Sequence, residues 1–350
     1  MNWVLELARP EIRGLRAYQH AAWEPALTRL HANELPWRVA GDTSVAGLNR
    51  YPEPQPPPLV QGLAALYGVS ADRVLVGRGS DEAIDVLMRI FCRAGRDRVI
   101  VCPPTFGMYS VAARIQGADV ASVSLLAARC FDLDVEGILK AVDGYTRLVF
   151  VCSPNNPTGN LVPRQQLLDL AARLAPRALL VVDEAYIEFA AGPGITADIA
   201  ALPNLCVLRT LSKAHGLAGA RCGALLAHPD IVALGRKVIP PYAIAELTVE
   251  VASPLLAPAG VAATRQRIGD LLAERQRVAT ALARVPGVLR VWPSDANFLL
   301  VDFAKPDAVL AKIRDVGLII RDVRQPVLPQ SLRITIGTPE QNDRLLGSLE

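Results

Sequence analysis

The sequence predicts an α/β protein built on a mostly parallel sheet, and two observations carry this prediction. Short runs that are apolar throughout recur between positions 74 and 227, and helical patterns separate most of them. Strands without apolar–polar alternation are covered on both faces, which is typical of parallel sheets flanked by helices. We therefore predict a seven-stranded, mostly parallel sheet sandwiched by helices, followed by a smaller α+β unit.

The apolar runs and the patterns between them define the elements of the large sheet. The predicted strands are Val74–Val76, Val99–Cys102, Val120–Val123, Leu148–Cys152, Ala178–Val182, Leu205–Leu208 and Cys222–Ala227. Within 81–93, apolar residues recur at i, i+3, i+4 and i+7, which indicates a helix. A second helix is predicted for 162–174, which contains Pro163 near its start.

The segments outside the large sheet complete the predicted organisation. The proline-rich run 51–58 is predicted to be extended, because proline disfavours helix interiors and favours polyproline geometry. The tail is predicted to contain helices at 264–285, 306–316 and from Pro339, and strands at 288–291, 297–301, 318–320 and 332–336. We expect an N-terminal arm, 1–30, that packs with the small unit, a large unit, 31–245, and a small unit, 246–350.

Composition excludes several classes of protein. The chain has 350 residues, of which 51% are hydrophobic and 20% charged, so disorder is excluded as the main state. A net charge of +3 without Lys/Arg runs predicts no nucleic-acid partner. The uncharged stretch 251–264 is too short to cross a membrane, and the N-terminus does not resemble a signal peptide. Six cysteines without a CxxC pair and four scattered histidines predict a cytosolic protein without a metal site.

Polar residues follow four of the predicted strands, at the sheet edge where parallel sheets bind ligands. Gly77-Arg78-Gly79-Ser80-Asp81 leads from a strand into a helix and could cap that helix or hold a phosphate. Ser153-Pro154-Asn155-Asn156-Pro157-Thr158-Gly159 could be a plain turn or could present a rigid amide. Both interpretations of each motif remain open at this point.

The other two strand ends carry an acid and a lysine. Asp183 ends a buried strand, where a carboxylate is costly unless it caps a helix, forms an ion pair or holds a proton on a heterocycle. Lys213 is one of only five lysines and lies between Ser212 and Ala214. Partial burial would lower the pKa of this lysine, as imine chemistry requires, whereas the alternative is an ordinary surface lysine.

Together, in this order, these motifs resemble the fold-type I pyridoxal-phosphate aminotransferases, and more closely the histidinol-phosphate aminotransferase family. The resemblance covers nearly the whole chain. It depends on YPEPQP, LVGRGSDEAIDVLMRIF, CPPTFGMYSV, VCSPNNPTGNLV, VVDEAYIEF, LRTLSKAHGLAGARCG and LRITIGT. One departure is His215, which stands where the family pattern has an aromatic residue.

The resemblance implies a cofactor, pyridoxal 5'-phosphate, and roles around its ring. Lys213 would form the imine and then move the proton of the 1,3-transfer, and Asp183 would pair with the pyridinium nitrogen. Asn156 and Tyr186 would hydrogen-bond the 3-oxygen of the ring. Tyr109 would stack on the ring, with Phe106 as the competing aromatic residue. The cofactor phosphate would be held by Ser80, Asp81, Thr210, Ser212 and Arg221.

The resemblance also implies substrate contacts and a partner. Arg333 and Arg321 would clamp the substrate anion, with Asn156 and Tyr18 as further substrate contacts. Tyr51 would reach the cofactor of the partner subunit, which makes the site a property of a homodimer. The implied reaction interconverts L-histidinol phosphate plus 2-oxoglutarate and imidazole-acetol phosphate plus L-glutamate, in histidine biosynthesis. The alternatives are another aminotransferase of this fold, an amino-acid-phosphate decarboxylase, or a non-catalytic binding protein.

Overall fold

The computed structural model describes residues 3–21, 24 and 26–349, and its elements are numbered here in chain order. The helices are α1 (Val4–Leu7), α2 (Pro10–Gly14), α3 (Pro57–Tyr67), α4 (Ser80–Phe91), α5 (Met108–Gln116), α6 (Val135–Ala141), α7 (Arg164–Leu174), α8 (Pro229–Val238), α9 (Glu246–Leu256), α10 (Pro258–Leu282), α11 (Pro306–Asp315) and α12 (Pro339–Gly347). The strands are β1 (Val74–Gly77), β2 (Arg98–Val101), β3 (Asp119–Ser122), β4 (Thr146–Cys152), β5 (Leu179–Asp183), β6 (Leu205–Thr210), β7 (Gly223–Leu226), β8 (Val288–Val291), β9 (Phe298–Phe303), β10 (Arg321–Asp322) and β11 (Ser331–Thr335).

The large sheet has seven strands in the order β1-β7-β6-β5-β4-β2-β3. Strands β3, β2, β4, β5 and β6 run parallel, and β7 runs antiparallel to both of its neighbours. Because β7 is reversed, its first residue lies at the edge where the other strands end. The predicted seven-stranded, mostly parallel sheet is confirmed, and each predicted apolar run overlaps one strand.

Both faces of the large sheet are buried, which is why its strands are apolar throughout. In β5, Leu180 and Val182 belong to one core, while Leu179 and Val181 belong to the other. Helices α3 and α7 contribute to the first core, and α4, α5 and α8 to the second. Two buried faces leave the carboxyl edge as the open side of the sheet.

The N-terminal arm packs against the large unit, so the predicted packing with the small unit is wrong. Val4 and Ala8 are buried in the core formed by α4, α5 and α8. The backbone N–H of Arg9 donates to the carbonyl of Ile90 at 2.9 Å. Short apolar helices can bury their apolar side on any nearby core, and here that core is the adjacent helix layer.

The extended conformation predicted for 51–58 ends earlier than expected, because α3 begins at Pro57. Pro57 and Pro58 occupy the first turn of this helix. The N–H groups of a first turn have no intrahelical acceptor, so the missing donors of proline cost nothing there. Proline therefore starts this helix instead of preventing it.

The tail forms a second, four-stranded sheet in the order β10-β11-β9-β8 with its own core. The strand predicted at 318–320 is wrong, because β10 is only the pair Arg321–Asp322. Helix α9 packs into the large unit, where Ala252 and Leu256 are buried against α3. We therefore propose that the two units divide near Ala257 and not at 246.

Among the described residues, no single helix is both long enough and apolar enough to cross a membrane. Helices α9 and α10 reach that length and apolarity only when taken together, and they are bent by 77° at the break between them.

Candidate active site

A cavity of about 620 Å³ lies at the carboxyl edge of the large sheet and reaches the second sheet. Eleven of the residues predicted from the sequence line it: Ser80, Asp81, Asn156, Asp183, Tyr186, Thr210, Ser212, Lys213, Arg221, Arg321 and Arg333. Within the described part of the chain, no group of three or more His, Cys, Asp or Glu side chains is arranged to hold a metal ion. The cavity thus collects polar side chains that are far apart in sequence.

Strand order determines the order of these groups along the cavity. Ser80 follows β1, Arg221 precedes β7, Lys213 follows β6, Asp183 ends β5 and Asn156 follows β4. The strands are neighbours in this same order, about 4.8 Å apart. The cationic and helix-terminal groups therefore lie at one end of the cavity, and the buried carboxylate lies nearer the other.

The β1 end of the cavity is an anion-binding arrangement. Helix α4 begins at Ser80, and its free amides and dipole favour negative charge there. The Arg221 guanidinium donates to Ser212 Oγ at 3.3 Å and to Asp81 Oδ2 at 3.1 Å. Gly79 has a φ of 82°, and a Cβ at this position would lie 2.9 Å from Arg221 Nη2. Glycine here permits both the tight turn and the approach of the guanidinium.

Gly223, at the start of β7, supports the same turn and provides a stability prediction. A Cβ at Gly223 would lie 2.7 Å from the Arg209 carbonyl oxygen and 2.8 Å from the Gly79 carbonyl carbon. We expect Gly223→Ala to lower the free energy of unfolding by about 2–3 kcal/mol, since backbone must move. Gly269→Ala, at an exposed position of α10 with open space for a Cβ, should raise it by about 1 kcal/mol. Urea titration of the two variants measures both free energies of unfolding. Equal changes in Gly223→Ala and Gly269→Ala would show that close backbone contact at Gly223 is not the cause.

Asp183 is the buried anion of the site, with 2% of its surface exposed. Its Oδ2 accepts from the Tyr109 hydroxyl at 2.7 Å, and its Oδ1 accepts from the Ala185 amide at 3.1 Å. Burial raises the pKa of Asp183 to about 6, although both hydrogen bonds oppose the rise. A carboxylate held this way can pair with a cationic or protonated group that enters the cavity.

Lys213 is the only lysine that lines the cavity among the described residues. Partial burial lowers the pKa of its ammonium group, and the positive charges of Arg333 and Arg221 lower it further. Asp81 and Asp183 oppose this shift. The lowered pKa increases the neutral, nucleophilic fraction of this amine near neutral pH.

Two arginines enter the cavity from the second sheet. Arg321 on β10 and Arg333 on β11 are direct cross-strand partners. Like charges directly opposite each other are unfavourable unless an anion lies between them. The Arg333 guanidinium also donates to Asn156 Oδ1 and lies 5.2 Å from the centre of the Phe298 ring. This pair is suited to binding an anionic substrate group.

Asn156 is held in place by a residue that the sequence analysis did not single out. The neighbouring Asn155 is buried and donates to the Pro104 carbonyl at 2.8 Å and to Thr158 Oγ1 at 2.6 Å. Thr105, which lines the cavity, donates to Asn155 Oδ1 at 2.9 Å. Asn155 thus joins the loops after β2 and β4, and its burial could not be read from a motif that also forms plain turns.

Tyr109 does not lie where the ring-stacking prediction requires, and this prediction is corrected. Tyr109 is fully buried, and its ring stacks on Phe150 with centroids 4.9 Å apart. Phe106 lines the cavity and meets the Tyr109 ring edge-on at 5.6 Å. Phe106 is therefore the aromatic residue available for stacking. It lies in the loop before α5 and lines the cavity, whereas Tyr109 lies in the first turn of α5 and is buried against the sheet.

Tyr51 and Tyr18 do not line this cavity within the single chain. Tyr51 is 50% exposed and stacks on Tyr242 at 4.6 Å. Tyr18 is 70% exposed and borders a separate cavity of about 430 Å³ near His20 and Glu53. The predicted contact of Tyr51 is with the cofactor of a partner subunit, and it stays a prediction. The predicted substrate contact of Tyr18 is not made in this cavity of the single chain.

A buried ion cluster lies behind the two loops that carry Asp183 and Lys213. Arg209 pairs with Glu184 at 3.1 Å and with Glu188 at 2.8 Å. Burial raises the pKa of Glu184 to about 7, despite this guanidinium. His215 is buried beside Glu188 and Arg209 in a small rear cavity, and burial lowers its pKa. His215 therefore faces away from the main cavity, and the cluster joins the ends of β5 and β6.

Comparison with known proteins agrees with this geometry. The model of the family described as "Aminotransferase class I and II" matches residues 32–349. A histidinol-phosphate aminotransferase of Xylella fastidiosa is 47% identical over 99% of this chain and 96% of its own length. One from Escherichia coli is 41% identical over 99% of this chain and 97% of its own length.

Solved structures show the same fold. The histidinol-phosphate aminotransferase of Sinorhizobium meliloti, in complex with pyridoxal-5'-phosphate, has a TM-score of 0.79 at 28% identity, covering 86% of this chain and 82% of that one. The L-threonine-O-3-phosphate decarboxylase of Porphyromonas gingivalis has a TM-score of 0.73 at 26% identity, covering 86% and 90%. By its matched length and its full-length relatives, this chain belongs to the aminotransferase class I and II family.

Proposed function

We propose that this protein is a pyridoxal-phosphate-dependent transaminase that interconverts L-histidinol phosphate plus 2-oxoglutarate and imidazole-acetol phosphate plus L-glutamate. One observation carries the proposal: a lysine and a buried carboxylate share a cavity with two arginines that oppose each other across a strand pair. The full-length relatives named histidinol-phosphate aminotransferase support this substrate assignment.

The residues present fit the proposed cofactor. The start of α4, Ser212 and Arg221 offer an anion site at one end of the cavity, with Thr210 nearby; the Ser212 amide donates to Thr210 Oγ1 at 3.1 Å. Asp183, towards the other end, is a buried carboxylate suited to a ring nitrogen that carries a proton. Phe106 supplies an aromatic wall of the same cavity. A phosphorylated pyridine ring matches this order of groups.

Each residue then has a chemical task. Bound pyridoxal phosphate supplies an electron sink that stabilises negative charge on the substrate's α-carbon. Lys213 would hold the cofactor through its amine and would carry the proton that leaves and returns to the substrate. Asp183 would keep a proton on the ring nitrogen. Burial raises the pKa of Tyr186, so its hydroxyl stays protonated and would, with the Asn156 amide, donate to the ring's 3-oxygen.

The two arginines explain how one cavity accepts two different substrates. The phosphate of histidinol phosphate in one half-reaction, and a carboxylate of glutamate in the other, would be bound by Arg321 and Arg333, which oppose each other across the strand pair. Guanidinium groups form paired hydrogen bonds with either anion. Asn156 already accepts from Arg333, so it orients this guanidinium as well as contacting the cofactor.

We also propose a homodimer with shared active sites. The segment 27–51 exposes large apolar side chains, with Leu30 at 91%, Val45 at 85% and Trp37 at 75% exposure. An exposed apolar surface of this kind is typical of a protein interface. A second copy covering it would bring Tyr51 towards the neighbouring cavity. Six free cysteines, five of them buried, fit the reducing cytoplasm where we place the enzyme.

The half-reaction without a keto acid tests the function. Protein loaded with pyridoxal phosphate should lose its visible absorbance band, and gain a near-ultraviolet band, when L-histidinol phosphate is added. L-Histidinol, which lacks the phosphate, should need at least tenfold higher concentrations, because the arginine pair loses its anion.

Other results of this half-reaction experiment would lead to different conclusions. If glutamate or an aromatic amino acid changes the band but histidinol phosphate does not, the substrate assignment is wrong. Release of carbon dioxide from an amino-acid phosphate would favour a decarboxylase. If no visible band forms at all, the assignment of Lys213 is wrong.

A further inference from the structure

We propose that the Tyr109 hydroxyl is a positioning group that keeps Asp183 ionised and oriented for the ring nitrogen of the cofactor. This inference rests on the proposed function and extends the site by one residue outside the cavity. It rests on a buried contact, since Tyr109 Oη donates to Asp183 Oδ2 at 2.7 Å and the two residues are 0% and 2% exposed.

The Tyr109 ring is held in a way that fixes its hydroxyl. One face stacks on Phe150 of β4, at an interplanar angle of 17°. Phe106, which lines the cavity, makes a T-shaped contact with the same ring at an interplanar angle of 83°. Two aromatic contacts leave the ring little freedom, so the hydroxyl stays directed at the carboxylate. Burial and the nearby Asp183 charge hold the Tyr109 pKa well above its usual range, and the group remains a donor.

Other groups around Asp183 cannot replace this donor. The Ala185 amide binds the other carboxylate oxygen. Cys152 is buried beside Asp183, and burial raises the pKa of its thiol, so it stays uncharged. The positive charge of Lys213 favours the ionised carboxylate, whereas the negative charge of Asp81 opposes it. In a buried site, a charge-assisted hydrogen bond is the strongest influence left to favour ionisation.

The hydroxyl therefore has a defined effect on pH dependence. Burial favours the protonated form of Asp183, and a neutral carboxyl cannot hold a proton on the ring nitrogen. Removing the hydroxyl should shift the protonation of Asp183 to higher pH. Binding of pyridoxal phosphate should then weaken at pH values where the unmodified protein still binds well.

The test compares Tyr109→Phe with Tyr67→Phe. Both changes remove one hydroxyl from a buried tyrosine, but the Tyr67 ring lies outside the cavity beneath the Arg209 guanidinium, and among the described residues its hydroxyl has no hydrogen-bond partner. The dissociation constant of pyridoxal phosphate is measured from pH 5.5 to 8.5 by quenching of tryptophan fluorescence. We expect Tyr109→Phe to bind about tenfold more weakly at pH 6.5, with recovery towards pH 8.5, and Tyr67→Phe to follow the unmodified protein.

Three results would overturn the inference. These are an unchanged pH profile in Tyr109→Phe, an equal shift in Tyr67→Phe, or weakening by the same factor at every pH, which would indicate a merely structural role. A double-mutant comparison adds a second readout, because Tyr109→Phe should have no further effect on binding in an Asp183→Asn background. If the unmodified protein binds no pyridoxal phosphate, the proposed function fails as well. If the unmodified protein binds it but Tyr109→Phe does not show the expected pH-dependent weakening, this inference alone fails.

Discussion

Replacing Lys213 with alanine is expected to reduce turnover by about three orders of magnitude or more. The variant loses both the amine that holds the cofactor and the group that carries the substrate proton. A small primary amine added to the assay should restore part of the activity, since it can enter the space left by the side chain. Steady-state rates with L-histidinol phosphate and 2-oxoglutarate check this prediction.

The matched control for this lysine is Lys312→Ala. Lys312 is exposed on α11, outside the cavity, and its replacement should leave turnover within about twofold. Thermal unfolding of both variants shows whether the fold is retained. A folded Lys213→Ala enzyme with more than a tenth of normal turnover would contradict the role assigned to this residue.

Replacing Asp183 with asparagine is expected to lower turnover by about 10²–10³-fold while making the cofactor-free protein more stable at neutral pH. The amide cannot hold a proton on the ring nitrogen, so activity falls. It also carries no charge, so the cost of burying an ionised carboxylate disappears. Loss of function combined with gain of stability distinguishes a functional carboxylate from a structural one.

The sign of the stability change follows from the raised pKa of Asp183. The pKa is about 6 in the folded chain, above its ordinary value of 3.8, so the folded state holds the proton more tightly. The stability that this proton provides is present below pH 3.8 and is lost as pH rises through 6. The advantage of Asp183→Asn should therefore be near zero at pH 4 and reach about 2–3 kcal/mol at pH 8.

Urea titrations of the cofactor-free protein at the two pH values, at one fixed protein concentration, measure this difference. Asp270→Asn, at an exposed position of α10, is the control and should change stability by less than about 0.5 kcal/mol at either pH. If Asp183→Asn were destabilising at pH 8, the carboxylate would be a net stabilising partner in the fold, and the interpretation of its burial would be wrong.

The sequence by itself determined the large sheet and most of the site. Strands such as β5 are apolar on both faces, and this local property already requires helices on both sides. Lys213, Asp183 and Asn156 each follow a strand directly, so a parallel sheet must bring them to one edge. These inferences need only the chain order and the direction of the strands.

Only the tertiary structure decided which side of an element a residue faces and what it meets. Phe106 and Tyr109 lie three positions apart in one motif, but Phe106, before α5, lines the cavity, whereas Tyr109, in the first turn of α5, is buried with its hydroxyl on Asp183. Arg321 and Arg333 become neighbours because β10 pairs with β11. The apolar pattern predicts a strand at 318–320, just before the position where β10 forms. The apolar residues of the arm at Val4 fit any core, so the sequence pattern alone predicts the wrong unit for it. In each case the deciding interactions join residues distant in sequence, and local patterns carry no information about such partners.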